Sequence, residues 1–336
     1  MSGQSEIRNL RSEAPGSLSA PPPVGQEGPA GARPVEPARP RPTDAWRWIA
    51  PAPFFARMMP RAAAIMMGRI GGALAWGLAP PARRVLAANL RALGLPAHPA
   101  ATRRIVQNFG TMLADYGYLW HPRSLRLQDW VGPGGLAGTE HLRAAVAAGR
   151  GILMVSPHVG NWELGAALMA RMGYRVAILA FPSQDPHMNR FREEARARLG
   201  IRTLYVGPDA AGIPGLPALR HLQSGGIVAV LGDLPATPES TIWASTARGP
   251  FPIARGPLVL ARVSGAPLLP VRLVRDGLHY AATAQPPVFV DAEADRDVAL
   301  RESAQRLAGS LLETIERHPD QWYYFRPFGP HAEVRS

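Results

Sequence analysis

Residues 151–165, GILMVSPHVGNWELG, decide the fold. An apolar run at 152–157 ends at a proline, and residues 161–172 continue with apolar side chains at helical spacing. A short apolar run bounded by glycine and proline favours a buried strand, and the change of period marks the start of a helix. We therefore predict a strand, a turn that contains His158, and then a helix.

The rest of the chain repeats this alternation. Further strands are predicted at 176–181, 227–233, 268–274 and near 288–290, and helices at 186–199, 256–264 and 297–317. Strands that alternate with helices favour a mainly parallel sheet covered on both faces. The predicted fold class is α/β, a mainly parallel mixed sheet flanked by helices. Sites in such sheets form at the carboxyl ends of strands, which is where His158 is expected.

The N-terminal third has a different texture. Residues 1–44 hold nine prolines and few large apolar side chains, so we predict a disordered tail there. Residues 62–82 are rich in Ala, Met, Leu and Gly, but Arg69 interrupts them at a cost of roughly 2.5–3.5 kcal/mol in mid-membrane. A helix lying on the membrane surface is favoured, while a true span and a soluble helix packed on the core stay open.

The predicted organisation is thus a tail at 1–44, a membrane-associated helical region at 45–125 and an α/β domain at 126–330. Within the second region, residues 103–121 carry one apolar stripe at helical period, which is typical of core packing.

Composition excludes several kinds of chemistry. The 336 residues include no cysteine, which excludes thiolate nucleophiles and cysteine-ligated zinc, and all 37 basic residues are arginine, which excludes a P-loop or Schiff-base lysine. A net charge of +12 favours an acidic partner. Because only 18% of residues are charged and the arginines are scattered, we expect a membrane surface and no specific nucleic acid.

His158 and Glu163 are the candidate catalytic residues. One straight helix would place them about 140° apart, but with His158 in the turn and Glu163 in the first helical turn they can converge. A carboxylate on one imidazole nitrogen leaves the other free as a general base. A capping histidine and a glutamate favoured by the helix dipole are the structural alternative. The other eight of the nine histidines show no paired ligand spacing, so no metal site is expected.

Two competing motifs are set aside. No Gly-x-Ser-x-Gly elbow occurs, which argues against an α/β-hydrolase. Residues 132–137, GPGGLA, resemble a dinucleotide fingerprint but follow no convincing strand and carry a proline in the turn.

The order of these short motifs resembles a known family. Residues 151–165 look like the first signature, His-x4-Asp/Glu, of the lysophospholipid acyltransferase superfamily. The run from about 67 to 328 resembles its bacterial lipid A biosynthesis lauroyl/myristoyl acyltransferase branch. The matching segments are 83–90, 189–200, 230–233, 256–270 and 318–322. Residues 242–251, IWASTARGPF, stand where that branch usually has a Phe-Phe-Gly-like element.

The resemblance implies a role for each matching residue. His158 would be the general base and Glu163 its partner. Arg196 would lie in the same cleft and either pair with Glu163 or bind an anionic group, with a solvated helix face as the alternative. Asp233 would be a site residue at a strand end.

The implied reaction is transfer of a fatty acyl chain from an acyl carrier protein or coenzyme A thioester to a hydroxyl of a lipid or glycolipid. A lipid A-like molecule is the first candidate for the acceptor. We predict that the backbone N–H groups of Gly160 and Asn161 stabilise the oxyanion. No further cofactor is expected. The implied location is the cytoplasmic face of the bacterial inner membrane. Acyl transfer to another lysophospholipid, glycolipid or aminolipid stays open, as does a non-catalytic membrane-binding protein of the same fold.

Overall fold

The computed structural model describes residues 58–119, 126–183, 185–206, 215–235 and 237–329. The tail predicted at 1–44 and the first residues of the predicted membrane region lie outside this part of the chain. The N-terminal helices are α1 (Arg61–Leu78), α2 (Pro80–Ala92), α3 (Pro99–Leu119) and the short α4 (Leu127–Trp130).

The α/β part is built on a seven-stranded sheet with the strand order β1-β9-β8-β2-β5-β3-β4. Its elements, in chain order, are β1 (Val131–Ala137), α5 (Thr139–Ala147), β2 (Ile152–Ser156), α6 (Trp162–Arg171), β3 (Val176–Ala180), α7 (Pro186–Arg198), β4 (Arg202–Tyr205), α8 (Leu216–Gln223), β5 (Ile227–Leu231), β6 (Thr241–Thr246), β7 (Gly249–Ala254), α9 (Arg255–Ser264), β8 (Leu268–Asp276), β9 (His279–Ala284) and α10 (Arg296–Arg317). Every neighbouring pair in this sheet is parallel except β8 and β9. The mainly parallel mixed sheet flanked by helices is therefore confirmed.

Strand β2 lies in the middle of the sheet, and all five of its residues are buried. Side chains alternate between the two faces of a strand. Accordingly, Leu153 and Val155 pack in the cluster that contains α9 and α10, whereas Ile152 and Met154 pack in the cluster that contains α6. Burial on both faces explains why the sequence of β2 is continuously apolar.

Several strands differ from the prediction. The prediction of a strand near 288–290 is wrong, because Val288 forms only an isolated bridge with Leu268. Strands β1, β4, β6, β7 and β9 were not predicted. Residues 132–137, which follow no strand, themselves form most of β1. Proline and glycine are tolerated in β1 because it is an edge strand with an irregular register against β9.

Helix α1 packs closely on α3 through small residues. A Cβ atom at Gly68 would overlap the backbone of Gly110, and one at Gly72 would overlap the backbone of Val106. The opposite surface of α1 carries a stripe of exposed apolar side chains, here called the α1 stripe, which consists of Met66, Met67, Ile70, Leu74 and Leu78. An amphipathic helix thus covers α3 with one face and leaves the other face uncovered.

The helix predicted across 62–82 is divided. Helix α1 ends at Leu78, and Pro80 begins α2 at an angle of 97° to α1. Within the described residues, no single helix has both the length and the apolar content of a membrane span; only α1 and α2 taken together reach them, as a bent pair.

Candidate active site

The imidazole of His158 is held by Asp233. His158 follows β2 and Asp233 follows β5, and these strands are parallel neighbours whose carboxyl ends lie at the same edge of the sheet. Nδ1 of His158 lies 2.6 Å from Oδ1 of Asp233, and the backbone N–H of His158 donates to Oδ2 at 3.0 Å. The indole of Trp322 also donates to Oδ2, at 3.1 Å.

Three donors therefore satisfy a carboxylate that is fully buried. A buried carboxylate needs such partners, because its charge is costly to remove from water. With Nδ1–H donating to Asp233, Nε2 of His158 is the nitrogen that can accept a proton. The rings of Trp162 and Tyr324, whose centroids lie 5.4 and 6.1 Å from that of His158, restrict its orientation. This is the geometry of an oriented general base.

The predicted partnership of His158 with Glu163 is wrong in this geometry, because the carboxylate on Nδ1 belongs to Asp233. Glu163 points instead to Arg196 of α7. The Arg196 guanidinium donates to both carboxylate oxygens of Glu163, through Nε at 3.1 Å and through Nη2. Arg196 thus pairs with Glu163 in this structure and does not lie on a solvated helix face, because it is only 6% exposed.

Burial by itself lowers the pKa of Arg196, but the charge of Glu163 and the hydrogen bond to it raise the pKa above its usual value. Arg196 thus keeps its charge, and its contact with Glu163 ties the first turn of α6 to α7. Tyr116 of α3 lies beside it, and burial followed by the Glu163 charge raises the pKa of its phenol far above 10. Its hydroxyl therefore stays protonated at neutral pH.

The predicted oxyanion donors are also corrected. The N–H of Gly160 donates to the carbonyl of Gln321 at 3.1 Å, and the N–H of Asn161 donates to the carbonyl of Leu273 at 2.9 Å. Both donors are therefore occupied by backbone acceptors. The N–H of Tyr323 also donates to the carbonyl of His158 at 2.7 Å. Backbone hydrogen bonds therefore join the His158 turn to β8 and to the segment that contains Tyr323.

Gly160 and Asn161 instead shape the turn that presents His158. Gly160 adopts a left-handed conformation with φ of 69°, and a Cβ there would overlap the carbonyl oxygen of Leu273. Asn161 is the N-cap of α6, since its Oδ1 accepts the N–H of Leu164 at 3.0 Å. Its amide nitrogen contacts the Tyr280 hydroxyl at 3.3 Å.

A cavity of about 1400 Å³ opens beside these residues, and His158, Glu163 and Arg196 all line it. It extends between α6 and the sheet, where its walls are apolar. Met154 and Leu273 line the cavity on the side of the sheet. Leu142 of α5 and Met169 of α6 line it on the side of the helices. A space of this size and lining suits a long aliphatic chain.

Trp322, Tyr116 and Tyr324 also belong to this site, although the sequence pattern did not predict them as site residues. Trp322 stands in the segment 318–322 that matched the family pattern, which was the available signal. Among the residues that the structure describes, no group of three histidine or carboxylate side chains is placed to hold a metal ion.

An oriented histidine and an apolar cavity at one edge of a mainly parallel sheet are typical of an α/β enzyme that acts on a substrate with a long apolar part. The chain belongs to the bacterial lipid A biosynthesis acyltransferase family, whose pattern matches residues 40–328. It is an acyltransferase, and the resemblance of its motifs to that branch is confirmed.

Curated relatives agree with this assignment. A phosphatidylinositol mannoside acyltransferase of Mycobacterium tuberculosis (strain H37Rv) is 28% identical over 252 residues, which cover 70% of this chain and 73% of the relative. The lipid A biosynthesis lauroyltransferase of Escherichia coli K12 is 28% identical over 55% of this chain and 59% of its own. The palmitoleoyltransferase of the same organism is 26% identical over 83% of this chain and 86% of its own.

Proposed function

We propose that this protein transfers a fatty acyl chain from a thioester to a hydroxyl group of a lipid or glycolipid. The observation that carries the proposal is the position of His158, whose Nδ1 is held by a buried carboxylate while the side chain lines an apolar cavity of about 1400 Å³. The family relatives acylate lipid A or phosphatidylinositol mannoside, as their names state.

The reaction needs no nucleophile from the protein. The acceptor hydroxyl attacks the thioester carbonyl carbon while Nε2 of His158 takes its proton. Asp233 stabilises the imidazolium that forms. The C–O bond forms, the C–S bond breaks, and the imidazolium returns the proton to the leaving thiolate. The ester, the free thiol and the neutral histidine then remain.

The acceptor that we place first is a lipid A-like glycolipid, in keeping with the family. A second candidate is a glycosylated phosphatidylinositol, which is favoured by the mycobacterial relative that aligns over 73% of its length. A non-catalytic membrane-binding protein of this fold is disfavoured, because His158 and Asp233 are both present and in hydrogen-bond contact.

The donor in this proposal is an acyl carrier protein or coenzyme A thioester. The net charge of +12 favours an acidic carrier protein and anionic phospholipid as partners. The α1 stripe supports contact with a membrane surface, because its five large apolar side chains are exposed on one helix. We place this contact at the cytoplasmic face of the inner membrane.

The test is an acyl-transfer assay on detergent-purified protein. Acyl carrier protein and coenzyme A thioesters are offered with extracted envelope lipids, and products are read by mass spectrometry. The control variant is His279→Ala, because His279 is exposed and lies outside the cavity. We expect a product one acyl chain heavier with the wild type and with this control, but not with His158→Ala. Equal activity of His158→Ala would overturn the mechanism, and no product with any donor would favour the binding protein.

A further inference from the structure

Strand β8 continues past the end of its neighbour β2. It has nine residues, of which only the first three pair with β2. The backbone groups that follow on that edge need other partners, because an unpaired buried N–H or C=O group is costly. The carbonyl of Leu273 accepts the N–H of Asn161 at 2.9 Å. Two residues further along the same edge, the partner of Arg275 is the side chain of Gln321.

The Gln321 amide binds both backbone groups of Arg275. Its Oε1 accepts the N–H of Arg275 at 2.9 Å, and its Nε2 donates to the carbonyl of Arg275 at 3.0 Å. A primary amide carries an acceptor and a donor side by side, so it pairs with the edge of β8 as a neighbouring strand would. Gln321 is buried. Its side chain therefore fixes the chain at this point to β8.

Residues 321–323, here called the clamp segment, bind the turn that presents His158. The carbonyl of Gln321 accepts the N–H of Gly160 at 3.1 Å. The N–H of Tyr323 donates to the carbonyl of His158 at 2.7 Å. The backbone of the turn is therefore bonded to the clamp segment at two points, one at His158 itself and one two residues after it.

The clamp segment also binds the carboxylate that holds the imidazole. The indole N–H of Trp322 donates to Oδ2 of Asp233 at 3.1 Å, and the same oxygen accepts the N–H of His158. His158 follows β2 and Asp233 follows β5, so the clamp segment is a third piece of the chain that fixes the two side chains relative to each other.

We infer that Gln321 is a positioning residue: by fixing the clamp segment to β8, its amide holds His158 and Asp233 in the geometry that proton transfer needs. Gln321 is not among the residues that line the cavity, so it acts through the groups that it holds. That the held pair performs acyl transfer rests on the proposed function. The clamp itself rests on the hydrogen bonds of Gln321 and of the two residues that follow it.

The test variant is Gln321→Met, which keeps the approximate length of the side chain and removes both hydrogen bonds to Arg275. The amide of Asn108 in α3 still donates to the carbonyl of Asp320 at 2.9 Å, so the preceding residue stays anchored and the variant is expected to fold. Gln321→Glu is the milder change, because a carboxylate oxygen still accepts the N–H of Arg275.

Gln305 of α10 provides a matched control. Its Oε1 accepts the N–H of Ser245 at 2.9 Å, and its Nε2 donates to the carbonyl of Ser245, so it forms the same two bonds to one residue of β6. Neither Gln305 nor Ser245 lines the cavity. Gln305→Met and Gln305→Glu therefore report the loss of such an amide pair outside the site.

We expect Gln321→Met to lower kcat by about a hundredfold, because a displacement on the order of 1 Å in a reacting group costs about that much. KM should change little, since the cavity walls are untouched. Gln321→Glu should lower kcat less, and both Gln305 variants should keep the wild-type kcat. Thermal midpoints are measured in parallel, and kcat is compared at a temperature at which each protein is folded. A wild-type kcat in both Gln321 variants, or an equal loss in Gln305→Met, would overturn the inference.

Amide hydrogen exchange separates this inference from the proposed function, because it requires no reaction. The N–H groups of Gly160 and Tyr323 should exchange roughly tenfold faster in Gln321→Met and at the wild-type rate in Gln305→Met. If the exchange follows this pattern but the wild type transfers no acyl chain, the proposed function fails and the inference stands.

If the wild type transfers acyl chains, but the exchange and the kcat of Gln321→Met both match those of the wild type, the inference fails alone. A lower kcat in Gln321→Met with unchanged exchange at Gly160 and Tyr323 would also overturn it, because kcat would then fall by another route.

Discussion

Nδ1 of His158 and Oδ1 of Asp233 lie 2.6 Å apart, although 75 residues separate them in the chain. The His-x4-Glu motif therefore contains only half of the hydrogen-bonded pair. Its glutamate, Glu163, forms a different contact, a nearly buried ion pair with Arg196. One motif thus supplies the proposed base and, through Glu163, a link between two helices, and the two contacts have separable consequences.

Asp233→Asn should abolish most of the acyl transfer. An amide in place of the carboxylate neither holds the Nδ1–H tautomer nor stabilises the imidazolium, so we expect kcat to fall by about a thousandfold or more. Glu163→Gln should lower kcat much less, because Glu163 forms its contact with Arg196 and not with Nδ1 of His158. Steady-state kinetics on both variants and the wild type check this. A larger kcat loss in Glu163→Gln than in Asp233→Asn would contradict it.

Loss of either member of the Glu163–Arg196 pair should destabilise the fold. Removing one partner leaves the other charge buried, and the expected loss in unfolding free energy is about 3–5 kcal/mol for Glu163→Gln or Arg196→Met alone. The double variant should lose less than the sum of the two, because no charge is left unpaired. Urea unfolding of the four proteins measures the coupling, and strictly additive losses would show that the pair does not act as a unit.

The close approach of α1 and α3 should depend on Gly68. Gly68→Leu would force the two backbones apart and is expected to cost about 1–3 kcal/mol. Gly71→Leu is the matched control, because a Cβ there meets nothing within 4 Å. Thermal midpoints measured in the same detergent distinguish them. Equal midpoints would mean that α1 does not pack on α3 in solution as it does in this structure.

The α1 stripe should govern binding to vesicles. Ile70→Gln and Leu74→Gln each remove a large exposed apolar side chain, and full burial of such a side chain contributes about 1.5–3 kcal/mol. Flotation with anionic phospholipid vesicles should therefore show a partition weaker by about a hundredfold or more for the double variant, because the two side chains together contribute about 3 kcal/mol or more. Phe289→Gln, an exposed apolar residue far along the chain, is the control. Equal partition of all three proteins would exclude the stripe as a membrane contact.

Stability should fall in mild acid, with His221 as one cause. Burial lowers the pKa of His221 in the folded protein and, together with the nearby charges of Arg202 and Arg175, outweighs the hydrogen bond to the Arg175 carbonyl, which raises it. The unfolded chain then binds more protons below about pH 6.5, so the unfolding free energy decreases as the pH falls through that value. Burial also lowers the pKa of His318, which adds to the effect. His221→Gln should flatten the dependence measured between about pH 7.5 and 5.5; an unchanged slope would assign it to other groups.

The sequence predicted the central strands of the sheet because burial on both faces gives each of them an uninterrupted apolar run. Strand β2 is buried on both faces, and its uninterrupted apolar run is the direct consequence. Edge and hairpin strands have a weaker apolar pattern in the sequence. Strand β9 reads HYAATA and β1 contains glycine and proline, and both are stabilised by neighbours that the local pattern does not reveal.

By itself, then, the sequence determined the alternation of strands and helices, the turn that carries His158, the placing of Asp233 at a strand end, and the pattern of the family. Only the tertiary structure decided which carboxylate holds His158, which one pairs with Arg196, and that the N–H groups of Gly160 and Asn161 are already bonded. The reason is physical. Periodicity reflects the burial of each segment along its own length, whereas a hydrogen bond selects its partner among groups that meet only when distant segments of the chain pack side by side.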